Sequence, residues 1–181
     1  MRINIGNFYI TDYCKDNILH CRFKHQLAND NDFLKYGFYH IEEQLEEPSV
    51  KEELLPNHSY LIENKNGELI GYLRLGNLNF IGTINLEYGI HSDFRGDSYS
   101  YPLLKNLSEY IVGNMEDVKE IRGNISIYNI KSIKTAEKVG YLNNGRKDKD
   151  YDYRYSKKSK WSSEWYTLTK ARRYLWIKTW F

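Results

Sequence analysis

The hydrophobic and polar positions of this chain change period several times, and each change marks an element. Met1–Ile10 alternates weakly and predicts an opening strand. Over Asp12–Tyr36, the residues Ile18, Leu19, Phe23, Leu27, Phe33 and Leu34 follow helical spacing. Asn29-Asp30-Asn31-Asp32 breaks that run and can cap a second helix. His40–Leu55 is acidic and interrupted at Pro48, which predicts a helix or loop pair. Its glutamates read as a solvated face, or as a surface that attracts an amine. Ser59–Glu63 and Glu68–Leu75 read as strands joined by Asn64-Lys65-Asn66-Gly67, where Asn-Gly favours a hairpin because both residues tolerate positive φ. After a turn at Gly76-Asn77, Asn79–His91 predicts a long strand. It turns Phe80, Ile84, Leu86, Tyr88 and Ile90 one way and Thr83, Asn85, Glu87 and His91 the other. The three strands make an antiparallel meander.

A loop over Ser92–Ser100 opens into a helix whose stripe is Leu103, Leu104, Leu107, Tyr110 and Ile111. Pro102 fits its first turn, and Gly113-Asn114 ends it. Glu120–Ile127 predicts a strand and Ile130–Val139 a helix stopped by Gly140; Tyr141–Tyr151 and Glu164–Lys170 predict two closing strands. Strand–helix units after a meander imply a mixed α/β or α+β sheet, here of six or seven strands flanked by about four helices.

Composition narrows the class. A chain of 181 residues with 41% hydrophobic and 28% charged positions predicts one globular domain whose core needs no disulfide or metal. A formal charge of +2 argues neither for nor against a nucleic-acid partner. Met1–Ile10 lacks the pattern of a secretory signal and no apolar run is long enough to span a membrane, so a cytoplasmic protein without a membrane partner is expected. Cys14 and Cys21, seven apart and near His20 and His25, fit no usual zinc spacing; reduced helix residues are expected and no metal. Arg95-Gly96-Asp97 resembles an adhesion motif, a reading with little weight without a secretory signal. Arg146–Lys160 is basic with interleaved tyrosines. It reads as a strand plus a connecting loop rather than as an RNA-binding segment, so nucleic acid is not the expected partner. Trp161, Trp165, Trp176, Trp180 and Phe181 make the C-terminus apolar enough to dock, on its own domain or on a second copy as a homodimer.

Three places can carry chemistry. The junction Arg95–Ser100 precedes a strong helix, whose first N–H groups and dipole favour an anion. Asn129 and Ser132 share one face at the next helix start. Both can simply cap it, or the hydroxyl can donate to a departing thiolate. Glu87 lies on the polar side of the meander's last strand, ahead of the anion loop, and could take a proton from an amine; Glu164 is a second candidate base.

The element order and these motifs resemble the GCN5-related N-acetyltransferase (GNAT) superfamily over about Tyr60–Lys170. That family's Gln/Arg-x-x-Gly-x-Gly/Ala loop binds the pyrophosphate of acetyl-CoA. Arg95, Gly96, Asp97, Ser98, Tyr99 and Ser100 stand in its place, with serines at both small-residue positions. The family's Asn-x-x-Ala/Ser-x-x-x-Tyr-Glu-Lys-x-Gly-Phe segment matches at Asn129, Ser132, Glu137, Lys138, Gly140 and Tyr141. Ala136 replaces the tyrosine that often protonates the thiolate, as in the branch acting on ribosomal-protein alanine N-termini. Glu87-Tyr88-Gly89, with Ile90 for an aromatic, resembles the same branch, as does Glu164-Trp165-Tyr166.

The resemblance implies a GNAT-like, mostly antiparallel twisted sheet over residues 1–170 with a tail at 171–181. It implies acetyl transfer from acetyl-CoA to a primary amine, without a covalent enzyme intermediate. It assigns catalysis to Glu87 or Glu164 as base and Ser132 as acid. It assigns acetyl-CoA binding to Tyr88, Gly89, Ile90, the loop Arg95–Ser100, Asn129 and Ser132. Two other readings use the same residues: a weakly catalytic acyl-CoA sensor, motivated by Ser98, Ser100 and Ala136, and a ribosome-associated module using Arg146–Lys160.

Overall fold

Gly6, at φ 66, folds the opening segment back on itself, so that Arg2–Ile5 (β1) and Phe8–Asp12 (β2) form a hairpin where a single strand was expected. The computed structural model describes residues 1–36, 41–45, 53–96 and 98–156. His58–Asn64 (β3), Leu69–Leu78 (β4) and Thr83–Ile90 (β5) are the meander. β5 begins four residues later than the alternation suggested. Asn79 accepts hydrogen bonds from the Ile81 and Thr83 N–H groups, which makes 79–82 a turn. Phe80, assigned to the buried face by parity, stands at its tip and is 100% exposed.

Ile18–Ala28 (α1), Asn31–Lys35 (α2) and Ile41–Gln44 (α3) cover one face of the sheet. Phe23, Leu27, Phe33 and Ile41 pack on Leu61 and Tyr72 there. Asp30 caps α2 as its position in the polar break predicted. Ile18 and Leu19, at the first turn of α1, point to solvent. Cys14 precedes α1, outside the helix expected to hold it, while Cys21 lies within it; both are free and half-buried.

Ser100–Asn114 (α4) and Ile130–Val139 (α5) lie on the other face. Leu103, Leu104, Leu107 and Ile111 are buried as their spacing required, each worth about 1.5–3 kcal/mol of transfer free energy. Gly140 ends α5 in the left-handed region at φ 106, where any other residue would be strained.

Glu120–Ser126 (β6), Leu142–Lys147 (β7) and Asp150–Ser156 (β8) complete an open sheet of order β1-β2-β3-β4-β5-β6-β8-β7. Among the described residues it has eight strands where six or seven were expected in all: the opening segment divides into β1 and β2, and the single strand expected over Tyr141–Tyr151 divides into β7 and β8. The closing hairpin comes from β7 and β8; the strand expected over Glu164–Lys170, and the aromatic tail, lie outside the described residues. Neighbouring strands are antiparallel except β5 and β6, which run parallel and pair only over Thr83–Asn85 with Glu120–Arg122. Beyond that rung β6 continues along β8, and β5 continues along β4. The two strands therefore part, and from Leu86 to Ile90 the inner edge of β5 has no strand partner.

Candidate active site

The register of β5 decides which groups that bare edge offers. The His91 N–H donates to the Ile70 carbonyl of β4 at 2.9 Å, and Ile90 stands opposite Gly71. In an antiparallel ladder, alternate residues turn both backbone groups to the same side. Gly89 and Glu87 thus bond to β4, while Tyr88 and Ile90 turn their N–H and C=O groups into the gap. The Ile90 carbonyl is taken by Arg95 Nε at 2.8 Å. The N–H groups of Tyr88 and Ile90 and the carbonyl of Tyr88 remain directed at the opening.

Gly89 has a different task from its neighbours. A Cβ built on it would stand 2.3 Å from the Phe33 ring, so its bare backbone is what lets α2 lie on the strand. Arg95 reinforces that contact. Its guanidinium lies 5.6 Å from the Phe33 ring centroid and donates to Asp30 and Asp32, each at 2.8 Å. Burial works to raise the Asp30 carboxyl. The hydrogen bonds from Arg95, Ser92 and Phe33 outweigh it and hold that carboxyl below its ordinary value. The Arg95 side chain thereby ties α2 to the end of β5, a partnership that the loop motif gave no sign of.

The loop that follows has left-handed backbone at two of its described residues. Ser98, standing where the resemblance expects glycine, adopts φ 61 and so takes the left-handed backbone that glycine would take. Gly96 also has positive φ, and open space surrounds it. Asp97 lies outside the described residues. Tyr99 packs edge-on against Phe8 with ring centroids 6.0 Å apart, fixing the loop to β2. The start of α4 has no side-chain cap and no acid in its first turn, which leaves its orphan N–H groups and dipole for an anion.

At α5 the two roles considered for Asn129 and Ser132 divide between them. Asn129 Oδ1 accepts the Ser132 N–H at 3.2 Å and caps the helix. The Ser132 hydroxyl has no hydrogen-bond partner among the described residues, and Ser132 is half-buried in the gap. Ala136 is buried one turn further on. Glu87 is 47% exposed and pairs loosely with Arg74 at 3.6 Å. Glu164 lies outside the described residues.

Two cavities occupy the parting of the strands. The larger, about 640 Å³, runs past Gly89, Ile90, Arg95, Gly96 and Ser100. The smaller, about 370 Å³, reaches down to Glu87, Arg122, Asn124, Asp150 and Tyr153. Tyr36, Tyr88, Asn129 and Ser132 line both, so the two spaces meet at these residues. Of these four, Tyr36 was missed by sequence reasoning; it follows α2, which the Phe33–Gly89 contact and Arg95 hold against the end of β5. Burial pushes the phenols of Tyr88 and Tyr141 well up, so both stay protonated, Tyr141 with its hydroxyl 2.8 Å from that of Ser108. Tyr153 is pushed up to about 12 by burial and by its 2.9 Å hydrogen bond to Glu137.

A sheet that opens between parallel strands, beside an uncapped helix start, has a close counterpart among protein families. Residues 20–142 match the family model of the acetyltransferase (GNAT) domain. The chain belongs to the GNAT family. It is an acetyl-CoA-dependent acyltransferase, as the resemblance implied. A GNAT-family acetyltransferase from Bacillus anthracis shares the fold at 13% identity and a TM-score of 0.64, covering 86% of this chain and 98% of that one. An acetyltransferase from Agrobacterium tumefaciens has 14% identity and a TM-score of 0.63, over 87% of this chain and 95% of that one. A spermidine N-acetyltransferase from Vibrio cholerae, in complex with CoA and spermine, has 16% identity and a TM-score of 0.60, over 82% and 94%. No curated protein sequence matches the chain. Among the described residues of this GNAT enzyme, no helix is long and apolar enough to cross a membrane. Among the same residues, no group of three or more His, Cys, Asp or Glu is placed to hold a metal.

Proposed function

We propose that the protein acetylates a primary amine, on a small molecule or a protein N-terminus, by direct attack within a ternary complex. The observation that carries this reading is the meeting of the two cavities along the bare edge of β5. One cavity suits the acyl carrier and the other the acceptor, with Ser132 at their junction. Bound acetyl-CoA would supply a thioester carbonyl there. The start of α4, with Gly96, Ser98 and Ser100, would hold the pyrophosphate. The backbone of Tyr88 and Ile90 would hold the amides of the pantetheine arm.

The acceptor nitrogen forms the new C–N bond as the C–S bond breaks. The Tyr88 N–H, already directed into the gap, donates to the carbonyl oxygen as charge develops on it. Glu87, on the acceptor side, takes the proton from the amine directly or through water. Ser132 donates a hydrogen bond from its hydroxyl to the departing thiolate and keeps its proton, a role open to it because its hydroxyl is not spent on capping. Glu164 stays a second candidate base. The domain spans residues 1–170, and the tail 171–181 docks on the domain or a second copy; the site works in the cytoplasm. The pairing of Asn129 and Ser132 with Ala136 supports a likeness to the ribosomal-protein N-terminal branch.

The test is Ser132→Ala measured in two ways. Turnover, followed by thiol release with a panel of amines, should fall about 10²-fold or more. The acetyl-CoA dissociation constant, followed by calorimetry, should stay within a few-fold. Equal turnover in the variant would remove Ser132 from the mechanism, and failure of acetyl-CoA to bind the parent protein would overturn the reading.

A further inference from the structure

We propose that the acceptor is an amine that also carries a carboxylate, and that Arg122 receives the carboxylate. This rests on the acetyl-transfer reading above and names its substrate class. Arg122 and Asn85 form the last rung before β5 and β6 part, and both residues line the smaller cavity. On that face, two arginines and two carboxylates share one cluster, and the sharing is unequal. Arg154 donates to Asp152 through Nε at 3.0 Å and Nη2 at 2.9 Å, and to Glu120 through Nη1. Thr83 takes a further place on Glu120, and Asn144 a further place on Asp152.

Arg122 is left with one bond, from Nε to Asp152 at 3.0 Å. Its two terminal nitrogens have no hydrogen-bond partner among the described residues, and its side chain is 32% exposed. A guanidinium anchored by Nε beside a cavity, with both terminal nitrogens unpaired among the described residues, can offer the paired donors that a carboxylate accepts. The amine end fits the opposite charge. Glu87 and Asp150 line the same cavity, and Tyr88 lies three residues along β5 from the Asn85 rung, about 10 Å at ordinary strand rise. That span suits an amine and a carboxylate separated by several bonds. A polycation would place a positive charge against Arg122.

Matched amines test this: 4-aminobutyrate and 5-aminopentanoate against butylamine and spermidine, and a peptide with an acidic second residue against its neutral counterpart. With acetyl-CoA saturating, kcat/KM should favour the carboxylate-bearing member by about tenfold or more, mostly through KM. The free amino acids and the peptide separate the two sources of that chemistry. In Arg122→Leu the preference should fall to near unity, and in Arg122→Lys to an intermediate value, because lysine cannot offer the paired donors. Melting temperatures show whether each variant is folded; if the leucine variant is not, the lysine variant decides. Equal or better use of butylamine or spermidine overturns the proposal, as does a preference that survives in the folded variants. Absence of thiol release with every amine overturns the acetyl-transfer reading instead. Calorimetry of 4-aminobutyrate on the CoA-saturated parent and lysine variant then decides the Arg122 contact alone. Weaker binding in the variant sustains it, and equal or absent binding ends it.

Discussion

A single methyl group at Gly89 would have to share space with the Phe33 ring, at 2.3 Å. Gly89→Ala should therefore force α2 off the strand and cost about 1–3 kcal/mol, the usual penalty for overpacking. Urea denaturation checks this, and a neutral substitution would mean that α2 does not need that contact. The same residue shows where single positions were legible in the sequence. Asn129 and Ser132 could be read because a helix start brings residues three apart together, and local spacing is enough to predict it. The partners of Arg95 lie 63 and 65 positions away, and no local pattern carries a pairing across that distance. Arg122 escaped notice for the same reason. Only strand pairing places it beside Asn85 and Asp152.

α2 is five residues long, too short to be stable by itself, and is held by its cap and by Arg95. Its anchor has a definite acid limit. The Asp30 carboxyl is held below its unfolded value of 3.8, so the stability it contributes is fully present above that value and is lost as pH falls through the lower folded one. Unfolding free energy measured in urea should therefore rise with pH across that window. The rise should be shallower in Asp30→Asn, which can still cap the helix but no longer pairs with a charge. An unchanged slope would show that the carboxylate is not what holds α2. Elements with a strong period of their own, α4 and α5, were read within a residue or two. Elements whose limits depend on a turn were misread. Gly6 split the first strand through its positive φ, and Asn79 withdrew Phe80 from the next, because a polar side chain that closes a turn can override alternation.

For the whole molecule, the meander followed by two strand–helix units was enough to give the class of fold. The order of the last strands was not. β8 inserts between β6 and β7, and nothing in the spacing of residues 142–156 announces it. The parting of β5 from β6 was likewise invisible in the sequence. Leu86 and Ile90 alternate as they would in a fully paired strand; what they lack is a neighbour.

That missing neighbour should leave a signature in time as well as in space. Along β5 and at His91 just past it, the amide protons of Glu87, Gly89 and His91 are tied to β4, and those of Tyr88 and Ile90 face the gap with no strand partner. In deuterated water the unliganded protein should show a strand with every second amide slow to exchange and the residues between them fast. Saturating acetyl-CoA should slow Tyr88 and Ile90 and leave the others as they were. The strand would then exchange like one with a neighbour on each side, and residue-resolved exchange would show the cofactor's arm standing in for the absent strand.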